Sequence, residues 1–197
     1  MAEAQIDLAY CYWREGAFDE GRVILREALS RLTESDIELR ALALLRSAII
    51  EETANRHYDA LRIHTEAAPL FQHIENHSLR GSFHNSFANV LKNLGAAENR
   101  EDYIDRALIE YAAASYHFEQ AGHIRYQACV ENNLAMLFRK AHRFADAHEH
   151  LDRAQVLFTR LKDSVHLAQV DETRARVLLA EGRLVDAEKV SRRAGLA

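Results

Sequence analysis

Proline and glycine are scarce in this chain, with one Pro and seven Gly among 197 residues. Pro removes a backbone donor and Gly spends conformational entropy, so both interrupt helices. Their scarcity, beside abundant Ala, Leu, Glu and Arg, predicts an almost entirely helical chain. Cysteine is nearly absent as well. Cys11 and Cys129 are too far apart for zinc spacing and too few for a disulfide framework, which suits a reducing cytosol. No apolar run approaches the roughly 18 uncharged residues of a spanning helix. The densest, "ALALLRSAII", is broken by Arg46. The N-terminus "MAEAQIDLAY" carries acids where a secretion signal carries bases, so a cytoplasmic protein without a membrane partner is expected. A net charge of -5 leaves no global basic footprint for nucleic acid. The phosphate loop GxxxxGK[ST], the nucleophile elbow GxSxG and the dinucleotide motif GxGxxG are missing, and no nucleophile–base constellation is visible. The chain therefore reads as non-enzymatic, with no cofactor and no metal. At 48% apolar and 28% charged, it still has the balance of a folded protein rather than a disordered one.

What is present is a repeat. "GRVILREA" (Gly21–Ala28), "ALRIHTEA" (Ala60–Ala67), "ALIEYAAA" (Ala107–Ala114), "AHEHLDRA" (Ala147–Ala154) and "AEKVSRRA" (Ala187–Ala194) start 39, 47, 40 and 40 residues apart. Each opens and closes on a small residue two helical turns apart, so both small residues share one helix face. An earlier helix precedes each window and carries its own small residue: Ala9, Ala48, Ala88, Ala135 and Ala175. Small residues on facing helices allow the close approach that an antiparallel pair requires. The turns share a grammar in "YWREGAFDEG", "LFRKAHRFADA" and "LLAEGRLVDA": a helix end, a small residue or His, an aromatic or Leu, an acid, a small residue. Gly16 and Gly182 can close a helix in the left-handed conformation, and the acid favours the start of the next helix. Turn punctuation every twenty residues or so argues against a heptad coiled coil.

This grammar resembles the tetratricopeptide repeat (TPR) over essentially the whole chain. "LAYCYWREG" followed by "AFDEG…REAL" matches best, and "NLAMLFRKAHRFADAHEHLDRAQ" and "ETRARVLLAEGRLVDAEKV" match well. The family repeat is about 34 residues. A step near 40 is similar to longer-helix variants such as those of kinesin light chains. The early tryptophan of the first helix is absent, Trp13 standing at its far end, and the proline after the second helix is missing. The resemblance implies an all-α, right-handed α-solenoid (a TPR superhelix) of about five antiparallel helix pairs. It would form one domain over 1–197, with repeats near 2–35, 40–77, 80–121, 125–162 and 165–197. It also implies that the first helices line a concave, protein- or peptide-binding groove.

In repeat three the polar stripe of the first helix is Ser82, Asn85, Ser86, Asn89, Lys92 and Asn93, opposite apolar Phe83, Phe87, Val90, Leu91 and Leu94. In repeat four the same register gives Cys129, Asn132, Asn133, Met136, Arg139 and Lys140. Asn is a mediocre helix former, yet its amide offers donors and an acceptor that match a peptide group. Peptide-binding relatives use first-helix Asn to hold a ligand's backbone, which implies that role for Asn85, Asn89, Asn93, Asn132 and Asn133, with Met136 between them. Lys92, Arg139, Lys140 and Arg176 would favour an acidic or carboxylate-bearing peptide. The Lys/Asn/Arg clamp of chaperone co-factors is not reproduced, since the stripe Gln169, Glu172, Thr173 and Arg176 lacks its basic pair. A second reading is a peptide-sensing regulatory region of a larger bacterial signalling or transcriptional regulator.

Several local expectations follow. Ile6, Tyr10, Trp13, Leu42, Leu45 and Ile49 read as core, or as a self-association surface in the N-terminal repeats. The ending "SRRAGLA" shows no polar capping helix, consistent with a fragment or with self-association at that end. About seven extra residues in "NLGAAENREDYIDRA" read as a surface insertion, with Asn99 as N-cap of the helix after it and Asp102 in its first turn. Pro69 should bend or loosen the second helix of repeat two. His148 and His150 lie roughly 200° apart on a helix and cannot share a metal. His73 and His77 have the helical spacing for one, without a third ligand.

Overall fold

The computed structural model describes residues 1–195; the last two residues of the fifth repeat's expected range, 196 and 197, lie outside them. The described residues form ten α-helices and no strands. They are α1 (Ala2–Glu15), α2 (Phe18–Arg31), α3 (Ile37–Thr53), α4 (His57–Phe71), α5 (His77–Glu98), α6 (Glu101–Gln120), α7 (Ile124–Lys140), α8 (Phe144–Arg160), α9 (Ser164–Ala180) and α10 (Leu184–Arg193). No helix among them is long and apolar enough to cross a membrane.

The turn inside each pair is built on a left-handed residue. Gly16 and Gly182 have φ of 77° and 82°, as expected, and Asn55, Asn99 and His142 take the same region at 58°, 54° and 56°. The N–H of the residue after each reaches the carbonyl five back: Ala17 to Tyr12, Arg56 to Glu51, Arg100 to Gly95, Arg143 to Phe138 and Arg183 to Leu178. These bonds satisfy carbonyls that the helix end would otherwise leave open. Arg56, Arg143 and Arg183 then stand at the next N-cap, each with its Nε on an Asp three residues on (Asp59, Asp146 and Asp186), at 2.9, 2.9 and 3.0 Å. The acid of the turn grammar thus anchors the guanidinium as well as meeting the helix dipole.

The third repeat differs from its expectation. Asn99 is the C-cap of α5, with φ 54° and ψ 44°, and does not open α6. The extra residues do not form a projecting loop. They lengthen α5 to 22 residues and α6 to 20, joined through Asn99 and Arg100. Asp102 does lie in the first turn of α6. Pro69 sits inside α4 only two residues before its end at Phe71, so the backbone bond it cannot donate to the Thr65 carbonyl is lost in the last turn and not mid-helix.

Two compact units divide the chain at 107/108. In residues 1–107 the small residues Ala9, Ala28, Ala48, Ala60, Ala67 and Ala88 are buried, and around them pack Ile6, Leu25, Leu45, Ile50, Val90 and Leu91. Phe71 stacks on Phe83 at 4.0 Å between centroids. Phe87 is covered by the Arg106 guanidinium at 4.7 Å. In residues 108–195 Ala114, Ala128, Ala135, Ala147, Ala154, Ala175 and Ala187 play the same part among Phe118, Leu134, Phe138, Leu151, Phe158, Val170 and Leu178. Each such large side chain, fully buried, contributes on the order of 1.5–3 kcal/mol of transfer free energy. A polar link recurs at one repeat position, each time 22 residues apart: Gln5 to Glu27 at 3.1 Å in the first unit and Arg193 to Asp171 at 3.1 Å in the second.

Of the N-terminal apolar set, Ile6 and Leu45 are core. Trp13, Leu42 and Ile49 are half-buried and Tyr10 is 44% exposed. Trp13 is tied down by its indole N–H, which donates to Thr53 Oγ1 at 2.9 Å.

Candidate functional site

The stripe expected on α5 is only partly a surface. Asn85, Asn89, Lys92 and Asn93 are half-buried and share one face, but Ser86 is buried at 4% exposure. Its register turns it inward, where its hydroxyl lies 3.0 Å from His64 Nε2 and 3.5 Å from Glu52 Oε2. His64 stacks on Phe87 at 5.0 Å, and burial together with His84 lowers its pKa to about 3, so the ring is neutral. Burial raises the Glu52 carboxyl to about 7 against the opposing pull of Lys92 and the Ser86 hydrogen bond. Lys92 Nζ also reaches Asn89 Oδ1 at 3.4 Å. In the first unit, then, the expected cation sits beside a carboxyl group and does not face solvent as an isolated charge.

In the second unit Cys129, Asn132, Asn133, Met136 and Arg139 are half-buried on α7, and Lys140 is exposed at its end. Arg176 on α9 is exposed and bound to Glu172 at 2.5 Å. Thr173, the counterpart of Ser86, is buried, its hydroxyl donating back to the Gln169 carbonyl at 3.0 Å. At that position a small hydroxyl side chain is buried in both units, Ser86 bonding to His64 and Glu52 on other helices and Thr173 back within α9.

Asn132 and Asn133 come together with residues that were not foreseen. With Cys129 of α7, Phe158 of α8, and His166 and Gln169 of α9 they line a cleft of about 160 Å³. Asn132 Oδ1 is buried and accepts no hydrogen bond. Asp163 caps α9 by accepting from the His166 N–H at 3.2 Å, and it also accepts from His166 Nδ1 at 2.9 Å. Arg125 approaches the same carboxylate at 3.3 Å. The hydrogen bond from His166 foremost holds the Asp163 carboxyl below its usual range. Nδ1 of His166 faces Asp163, and in the tautomer that carries its proton there Nε2 is left as an acceptor. The His166 ring lies flat on Phe158, centroids 4.9 Å apart and planes 14° from parallel. Burial pushes the Cys129 thiol up, keeping it neutral.

Sequence reasoning missed Phe158 and His166 although a signal existed. Phe71, Phe118 and Phe158 follow the repeat beat, and each stacks on a ring beyond it: Phe83, Tyr126 and His166. Glu52 and His64 had no comparable pattern. His73 falls after the end of α4 and His77 at the start of α5, so the helical spacing inferred for them does not hold. His148 and His150 turn to different partners, Glu181 at 3.0 Å and Glu131 at 2.7 Å. Among the described residues no group of three or more His, Cys, Asp or Glu could hold a metal.

No protein-family model and no curated protein sequence matches the chain. Solved structures do. BtubC (BKLC) from P. vanneervenii superposes with a TM-score of 0.81 at 23% identity, over 95% of this chain and 76% of that one. The fold is a tetratricopeptide-type helical-repeat solenoid. The nearly identical TPR-like repeats of a putative kinesin light chain from Podosopora anserina give 0.79 at 13% identity, over 98% of this chain and 92% of that one. A Rap protein complexed with Competence and Sporulation Factor gives 0.71 at 16% identity, over 96% of this chain and 52% of that one. At such identities the likeness is one of fold, and it covers nearly the whole TPR-type chain.

Proposed function

We propose that the protein is a peptide-binding TPR scaffold that holds an extended segment of another polypeptide through the Asn-bearing faces of α5 and α7. The supporting observation is the cleft of α7–α9, where Asn132 Oδ1 is buried without a partner and Asn133 and Gln169 make no side-chain hydrogen bond among the described residues. A buried acceptor left open is costly, and a backbone N–H of a bound strand supplies what it lacks. Asn85, Asn89 and Asn93 extend the same chemistry onto α5, with Met136 as an apolar contact. Acidic residues of the segment would meet Arg139 and Lys140, since Lys92 and Arg176 already have company from Asn89 and Glu172. The asparagines bind backbone and so give affinity with little sequence reading. Side-chain pockets must supply the specificity.

A second reading has one observation in its favour, the likeness to a Rap protein complexed with Competence and Sporulation Factor. In it, the chain is the peptide-sensing part of a larger bacterial signalling or transcriptional regulator. Small-angle scattering separates the two, because a sensor changes compactness when peptide is added and a rigid scaffold does not.

The direct test selects binders from a random heptapeptide display library and titrates the selected peptide against wild type and Asn89→Ala/Asn133→Ala. The expected result is at least a tenfold loss in the variant with unchanged helical circular dichroism. Selection yielding no binder, or equal affinity in both proteins, overturns the reading.

A further inference from the structure

Resting on that reading, we propose that the cleft of α7–α9 is a side-chain pocket for a primary carboxamide, that of a glutamine in the bound segment. The cleft holds polar groups but no free charge. The carboxylate that His166 contacts, Asp163, is already shared between Arg125 at 3.3 Å and His166 at 2.9 Å. The thiol of Cys129 is neutral because burial opposes its ionisation. A carboxylate, ammonium or guanidinium entering such a site would shed water and find no countercharge, which is strongly unfavourable. A purely apolar side chain would leave Asn132 Oδ1 as open as before. A neutral carboxamide answers both conditions. Its N–H₂ gives two donors, for Asn132 Oδ1 and for the acceptor left on His166. Its carbonyl accepts from the amide of Asn133 or Gln169.

Shape agrees with chemistry. The volume, about 160 Å³, is that of one medium side chain and too small for a free-standing ligand of drug size. The Phe158–His166 stack presents flat rings that a planar amide can lie against. Asp163 is a positioning residue. It fixes the imidazole tautomer and caps α9, so the acceptor on His166 is set before the ligand arrives. The repeat before this one has Tyr126 stacked on Phe118 where His166 stacks on Phe158, so the acceptor belongs to the last cleft and is not a general feature of the array.

The experiment uses the full chain and the library-selected heptapeptide, with one position at a time replaced by Gln, Glu, Arg, Met and Ala and affinity read by fluorescence anisotropy. At one position Gln should bind at least tenfold tighter than Met, Glu, Arg or Ala. Asn132→Leu should erase that preference while keeping the affinity of the Ala peptide and the helical signal. Asp163→Asn, which keeps a cap, should weaken the preference without abolishing binding. Equal affinity for all five residues at every position overturns the pocket and leaves backbone capture standing. A preference for Glu or Arg that depends on Asn132 overturns the neutral-ligand argument. If no selected peptide binds at all, both proposals fall.

Discussion

Replacing Gly95 by Ala tests the claim that close helix approach, more than helix propensity, decides this fold. Gly95 lies inside α5, where Ala is intrinsically better by about 1 kcal/mol. A methyl group there, however, would stand 2.7 Å from Ile104 Cδ1, 3.0 Å from Ile104 Cγ1 and 3.1 Å from the Arg100 carbonyl oxygen. Optimal carbon contacts are about 3.5–4.0 Å. The Ile tip can rotate away. The carbonyl cannot move freely, because it accepts the Ile104 N–H in the first turn of α6. Overpacking of this kind costs about 1–3 kcal/mol, so Gly95→Ala should lose about 1–2 kcal/mol net. Gly21 is the internal control. An added methyl there meets only the tip of Ile50 at 2.7 Å, with the next atoms at 3.7 and 3.8 Å. Relaxation of Ile50 and the gain in propensity should nearly cancel, leaving Gly21→Ala within about 0.5 kcal/mol of wild type. Urea unfolding followed at 222 nm should show a midpoint lower by about 0.5–1 M for Gly95→Ala and almost none for Gly21→Ala. A Gly95→Ala midpoint equal to or above wild type, or equal losses in both variants, would refute the reasoning.

Three further outcomes are expected. Glu52 keeps its proton in the fold up to about 7, whereas the unfolded chain releases it near 4.5, so stability falls as pH rises between those values and levels off above. Glu52→Gln should remove that fall, gaining on the order of 2 kcal/mol over wild type at pH 8 and little at pH 4; equal urea midpoint shifts at both pH values would contradict it. Glu131 is buried and accepts from Ser115 Oγ and His150 Nδ1, so Glu131→Ala should cost about 2–4 kcal/mol and Glu131→Gln less in urea unfolding; equal losses in the two variants would contradict it. Asp163→Ala removes the cap of α9 and the contacts to Arg125 and His166, and should cost about 1–2 kcal/mol in thermal unfolding; a change under about 0.3 kcal/mol would show the cap to be idle.

The helix pairs were legible because their causes are local. Ala9, Ala48, Ala88, Ala135 and Ala175 recur 39, 40, 47 and 40 residues apart, and Gly16 and Gly182 mark left-handed turns that glycine adopts without strain. His142 was also placed in a turn, although its φ of 56° could not be read from its type. Asn99 misled because asparagine serves equally as an N-cap and as a left-handed C-cap, and only the hydrogen-bond direction tells them apart. The lengthening of α5 and α6 was hidden for a related reason: polar helical residues such as those of "AAENRED" resemble loop residues when the packing partner is unknown. Ser86 and Thr173 looked like surface because hydroxyls are polar, yet both bond within their surroundings and are buried. The asparagines of α7 could be named from spacing alone. Their cleft could not, since Phe158 and His166 reach it from two other helices.

The most direct measurement is the set of side-chain amide signals in ¹H–¹⁵N spectra of the labelled chain as the selected peptide is added. The account predicts that the Nδ2–H₂ signals of Asn132, Asn133 and Asn89 move in step with binding, while those of Asn55, Asn76 and Asn99 in the turns stay put. Saturable binding that leaves Asn132 and Asn133 unmoved would contradict it.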